Sequence, residues 1–151
     1  NFGASNEDSV TNKAYQGGAI YNNAAVTVGS TTFTQNNAVY GGAIYNNYVD
    51  ANSLLTLNSK NTFTGNTANA GGALYDNGSS KITSVTFTSN KANRDSHIDN
   101  AGLGGAIYTA NNELNPAQQI KVDSSAFNSN SADISGGAVY NSANNTSVKL
   151  I

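Results

Sequence analysis

At 151 residues and a formal charge of −2, the chain is the size of one domain and nearly neutral. Only 11% of its residues are charged, which argues against nucleic acid, whose binding needs a basic face, and against a strongly steered acidic partner. Cysteine is absent, so there is neither a disulfide framework nor a thiolate metal site. No apolar run approaches the roughly 20 residues of a membrane span, so no membrane insertion by this segment is expected. The 26 asparagines could signal disorder, but regular punctuation by Phe, Ile, Val and Tyr favours an ordered repeat.

Two phrases alternate along the chain. The first opens at Gly17-Gly18, Gly41-Gly42, Gly71-Gly72, Gly104-Gly105 and Gly136-Gly137, each followed by alanine, an aliphatic residue and tyrosine. Successive copies start 24, 30, 33 and 32 residues apart. The second is F-x-x-N, upstream of the glycines: Phe33 to Asn36, Phe63 to Asn66, Phe87 to Asn90 and Phe127 to Asn130. A fifth, degenerate copy at Ser9–Asn12 puts serine in the phenylalanine slot. Periods of this length, with two phrases in fixed order, mark a stacked-coil solenoid.

Taken in order, residues 1–16 form a partial coil with a polar lead-in at Asn6–Asp8. Residues 17–40 are the shortest coil and serve as template. Gly18–Tyr21 reads as a strand, Asn22-Asn23 as a turn, Ala25–Val28 as a second strand, and Gly29-Ser30 as a turn. Thr31–Thr34 is a third strand, and Asn36-Asn37 turns the chain back to the next glycine pair. Later coils carry insertions at 47–52 and 110–117, from one corner and two coils apart, and at 93–103 from another. Loops on a rigid scaffold are the usual place for recognition. The abrupt start at Asn1 and the strand-like stop at Ile151 read as a piece of a longer protein.

Three strands per coil cannot pair as hairpins and keep equivalent phrases face to face. Winding them helically sets each phrase on its own copy about 4.8 Å away in a parallel sheet. The expected fold is therefore all-β: a right-handed single-stranded parallel β-helix of about five coils, three short strands each, forming a single segment over 1–151. Alternation places Phe33, Phe63, Phe87 and Phe127 inside, with Ile20, Ile44, Leu74, Ile107 and Val139. An asparagine ladder (Asn12, Asn36, Asn66, Asn90, Asn130) is expected at the corner, stacked as in cross-β arrays.

The pairing of GGA-aliphatic with F-x-x-N resembles the repeats of the chlamydial polymorphic membrane proteins. It is also similar to Asn-rich adhesin-like proteins of methanogenic archaea and gut bacteria. The resemblance implies an extracellular β-helical stalk or autotransporter passenger, often an adhesin, and its motifs transfer scaffold roles but no catalytic residues.

Chemistry is sparse. The nine acids are scattered, with no pair on one register of adjacent coils, so no enzyme activity and no cofactor are expected. Asp95, Asp99 and Asn100, around the lone His97 and beside Arg94, form a weak metal pattern that reads more simply as a solvated insertion. Tyr21, Tyr45, Tyr75, Tyr108 and Tyr140 should form a line of rings suited, if outward, to stacking on sugars or a partner protein. Arg94 and His97 are the other binding candidates. The reading is a cell-surface adhesin or stalk whose partner is a host or neighbouring-cell surface protein or glycan. The alternatives are a polysaccharide-binding or polysaccharide-cleaving β-helix and a fibre subunit that self-associates end to end.

Overall fold

The computed structural model describes residues 2–3, 12–115, 118–142 and 147–150. The Asn6–Asp8 lead-in, Ser9–Thr11 of the degenerate phrase, Pro116-Ala117 and the residue at 151 lie outside them. Within them there is no helix, and the strands form four five-stranded parallel sheets. Each coil visits the four sheets once, in the same order, before climbing to the next: a parallel β-helix.

The first sheet holds the F-x-x-N strands Thr32–Thr34, Thr62–Thr64, Thr86–Thr88 and Ala126–Asn128, and Phe2–Gly3 begins it. Phe2 is in register with Phe33. Phe2 thus takes the register position of the phenylalanines, with more residues before Asn12 than later coils have between phenylalanine and asparagine. The second sheet adds a short fourth strand per coil, such as Asn37–Tyr40 and Thr67–Ala68, just after the asparagine corner. The third holds the tyrosine strands, from Ile20–Asn22 to Val139–Asn141. The fourth has no motif of its own: Val26–Gly29, Leu54–Asn58, Ser79–Thr83, Gln119–Asp123 and Ser147–Leu150. It is called the variable sheet below.

The interior follows the sequence pattern. Phe33, Phe63 and Phe87 are fully buried and stack with Phe127 at centroid separations of 4.6 to 5.0 Å. Ile44, Leu74 and Ile107 lie opposite them, and Leu55, Leu57, Ile82, Ile120 and Val122 close the core from the variable sheet. Burial of this apolar column is the main stabilising term, at about 25 cal/mol per Å² removed from water.

Two polar ladders run through the coil. Asn12 donates to Asn36, Asn36 to Asn66, Asn66 to Asn90 and Asn90 to Asn130, all at 2.8 to 2.9 Å. The second, at the far end of the tyrosine strand, runs from Asn22 to Asn46 to Asp76, and Thr109 bonds Asn141 one coil on. In the first ladder, the left-handed residue that turns the chain is the one before Asn36, Asn66, Asn90 and Asn130. Gln35, Gly65, Ser89 and Ser129 have φ of 53 to 63°, as a group that Ser30, Ser59, Ser84 and Ser124 repeat at another corner.

The glycine pair makes the third corner. Gly41 has φ of +64°, which glycine adopts without the Cβ penalty other residues carry. Gly42 is required for a different reason: a Cβ there would lie 2.1 Å from the Gly72 carbonyl oxygen of the next coil and 2.7 Å from that of Thr67. The second glycine thus lets adjacent coils approach at this corner.

Candidate functional site

Along Ile44–Asn46, Ile44 enters the main core while Tyr45 faces the other way. Tyr21, Tyr45, Tyr75, Tyr108 and Tyr140 stack in one continuous ladder with centroids 5.3, 4.9, 4.8 and 5.6 Å apart. Much of it is covered. Tyr40, Ala70 and Leu103, which precede the glycine pairs and bridge one another in register, pack against it together with Ala110. Tyr40 meets Tyr75 edge-on at 5.2 Å, and Tyr15 meets Tyr40 at 5.6 Å.

Tyr108 is 2% and Tyr45 8% exposed, whereas Tyr21 is 46% exposed. As a surface for a ligand, the ladder is open at Tyr21 and closed at Tyr108. The same burial, helped by neighbouring phenols, pushes the Tyr45 hydroxyl up to about 12 and raises those of Tyr75 and Tyr108.

The 93–102 insertion is an ordered turn beside this ladder. The Gly102 N–H donates to Asn69 O at 2.7 Å, and the Tyr40 hydroxyl donates to Asp99 O at 3.4 Å. Asp95 Oδ1 accepts from the His97 backbone N–H at 2.9 Å and lies 3.3 Å from its Nδ1. That backbone bond, with the ring beside it, holds the exposed Asp95 carboxyl below its ordinary range. The backbone N–H of Arg94 donates to Asp133 Oδ2 at 2.9 Å. Among the described residues no three His, Cys, Asp or Glu side chains gather in a way that could hold a metal.

Among the described acids one is buried. Asp76 is fully buried in the second polar ladder. Its Oδ1 accepts from Asn46 Nδ2 at 2.8 Å and from the Gly78 N–H at 3.1 Å. Its Oδ2 and the neighbouring buried Ser80 Oγ fall short of a full hydrogen bond. Burial raises this carboxyl above the ordinary range, against the opposing pull of Ser80, Asn46 and Gly78.

Insertions dominate the corner between the tyrosine sheet and the variable sheet. Residues 47–53 and 110–118 span it in the second and fourth coils, where the third coil needs only Asn77-Gly78. Asp50 and Ser53 brace the first loop through Asp50 N–H to Ser53 Oγ at 3.1 Å. Asn112 Nδ2 ties the second to Asn77 O at 2.9 Å. Exposed apolar side chains collect here: Val49 at 57%, Leu54 at 40% and Leu114 at 80%.

Sequence reasoning passed over one column. Lys81, Lys121 and Lys149 are in register on successive coils of the variable sheet, all exposed. Counting back from the next phenylalanine would have found the first two, since both stand six residues before it, at Phe87 and Phe127. Low net charge hid a local concentration of three of the seven Lys and Arg residues.

A family model of the Chlamydia polymorphic membrane protein repeat matches residues 30–47, 62–77, 84–110 and 124–142, just over half of the chain. No curated protein and no solved structure matches it.

Proposed function

Starting from the chain's membership of the Chlamydia polymorphic membrane protein repeat family, we propose that it is a length of extracellular surface passenger. It is a non-enzymatic β-helical stalk that presents adhesive loops at the cell surface. The observation that carries this reading is the placing of the insertions. Residues 47–53 and 110–118 leave one corner of an otherwise regular stack and hold Val49 and Leu114 in solvent. Apolar side chains exposed on braced loops are costly to a stalk and useful to an interface. The partner chemistry this corner fits is a surface protein or glycan of a neighbouring cell, met by apolar contact with amide groups around it.

Adhesion of beads coated with the chain to cultured epithelial cells tests the reading. Val49→Ser with Leu114→Ser leaves the turns intact and should abolish most bead attachment while circular dichroism is unchanged. Attachment equal to that of the unaltered chain would contradict the assignment of this corner.

A further inference from the structure

The outer face of the variable sheet carries a feature the repeat itself does not dictate. In the first and third sheets the stacked outward residues come from the repeated phrases, and they are uncharged threonines and tyrosines. The variable sheet belongs to neither phrase. Yet its central outward column runs Thr56, Lys81, Lys121, Lys149, three ammonium groups on three consecutive coils. Like charges directly opposite each other in a sheet are destabilising, so the fold gains nothing from this arrangement.

Among the described residues the ion pairs are Lys91 with Asp133 and Asp95 with His97, and none involves the column. Among the described residues of these strands the acid on this face is Asp123, whose Oδ1 accepts from Ser124 Oγ at 2.9 Å. Beside Lys81 and Lys121 lies a groove of about 310 Å³, walled by Leu54, Ser79 and Gln119.

We propose that this face binds a linear anionic glycan lying along the helix axis, with one carboxylate or sulfate per coil. Coils rise by about 4.8 Å, close to the advance of one pyranose along an extended polysaccharide, so successive acidic sugars meet successive lysines. Ammonium groups pair with carboxylate or sulfate oxygens through charge-assisted hydrogen bonds. The Gln119 amide and Ser79 hydroxyl line the groove as partners for sugar hydroxyls, and Leu54 offers an apolar edge to a ring face. A single-stranded nucleic acid would want aromatic platforms beside its phosphates, and this face has none. Leu54 borders both this surface and the loop corner, but the two readings are tested on different residues, Lys81 and Lys121 here and Val49 and Leu114 there, so either can fail without the other.

The probe is a size-defined heparin oligosaccharide long enough to span three coils, titrated into the whole chain at low salt. Backbone amide shifts should concentrate at 79–83, 119–123 and 147–150. Lys81→Gln with Lys121→Gln should weaken binding about tenfold or more, as expected for losing two charge-assisted contacts. Lys13→Gln with Lys91→Gln removes equal charge from another sheet and should change affinity by no more than about twofold. Equal weakening by both pairs would reduce the effect to net charge and overturn the proposal. So would equally tight binding of an oligothymidylate of matched charge, or no binding at low salt.

Discussion

Asn66 Nδ2 donates to Asn90 Oδ1 at 2.9 Å and to Phe33 O at 3.0 Å, while its own Oδ1 accepts both the backbone and side-chain N–H groups of Asn36. One fully buried amide therefore ties three coils together through both side-chain and main-chain groups. Asn66→Ala orphans several of these at once. At roughly 1–3 kcal/mol per unsatisfied buried group, the loss should reach about 3 kcal/mol or more. Chemical denaturation of the variant measures it, and a loss comparable to a surface substitution would show that the ladder is not a structural tie.

Gly42 is predicted to be irreplaceable even though its φ is ordinary. Gly42→Ala places a methyl 2.1 Å from Gly72 O, and both atoms belong to backbone that cannot swing aside. The coils must separate at this corner, breaking the Gly42 N–H bond to Gly71 O. Gly65→Ala is the control, since its nearest contact is the flexible Gln35 side chain at 3.7 Å. Gly65 has φ of +63°, so this control should cost about 1 kcal/mol, and thermal melting should rank Gly42→Ala well below it.

Asp76 should make stability fall as pH rises. Folding favours its neutral form, because burial raises the carboxyl above the ordinary value of 3.8. The favourable contribution is present below that value and is lost as pH climbs through the raised one. Asn stands at this ladder position in Asn22, Asn46 and Asn141. Asp76→Asn should therefore stabilise the chain at neutral pH by roughly 1–3 kcal/mol, with a smaller gain in mild acid. Equal melting gains at both pH values would contradict the titration.

Tyr45 should do the same at alkaline pH. Its hydroxyl is pushed up to about 12 by burial and by Tyr21 and Tyr40. An unfolded phenol ionises near 10, so stability drains away between those values. Tyr45→Phe should flatten the alkaline arm of the stability curve, and an unchanged arm would place the cause elsewhere.

What the sequence revealed was whatever the repeat stacks on itself. Phe63 on Phe87 and Asn66 on Asn90 follow from two phrases recurring in order, since a parallel coil pairs like with like. The fourth strand escaped notice because it is two to four residues long, as in Thr67–Ala68 and Asn37–Tyr40, too short to carry a readable periodicity. The covering of Tyr108 was hidden too, because Ala70 and Leu103 lie outside both phrases and reach the ring only through the glycine kink. Lys81 and Lys121 stood unseen for a third reason. A long insertion precedes Lys121 and none precedes Lys81, so only alignment from the following phenylalanine brings them together.

A rigid stack and the loops it presents should differ in how readily their backbones open, and hydrogen exchange of the backbone amides measures that difference directly. Amides of all four sheets should exchange slowly and together, since coil-to-coil bonds open only when the stack does. Exposed amides of 47–52 and 93–100 should exchange many times faster. Loops and coils exchanging alike would contradict a scaffold that displays separate recognition elements.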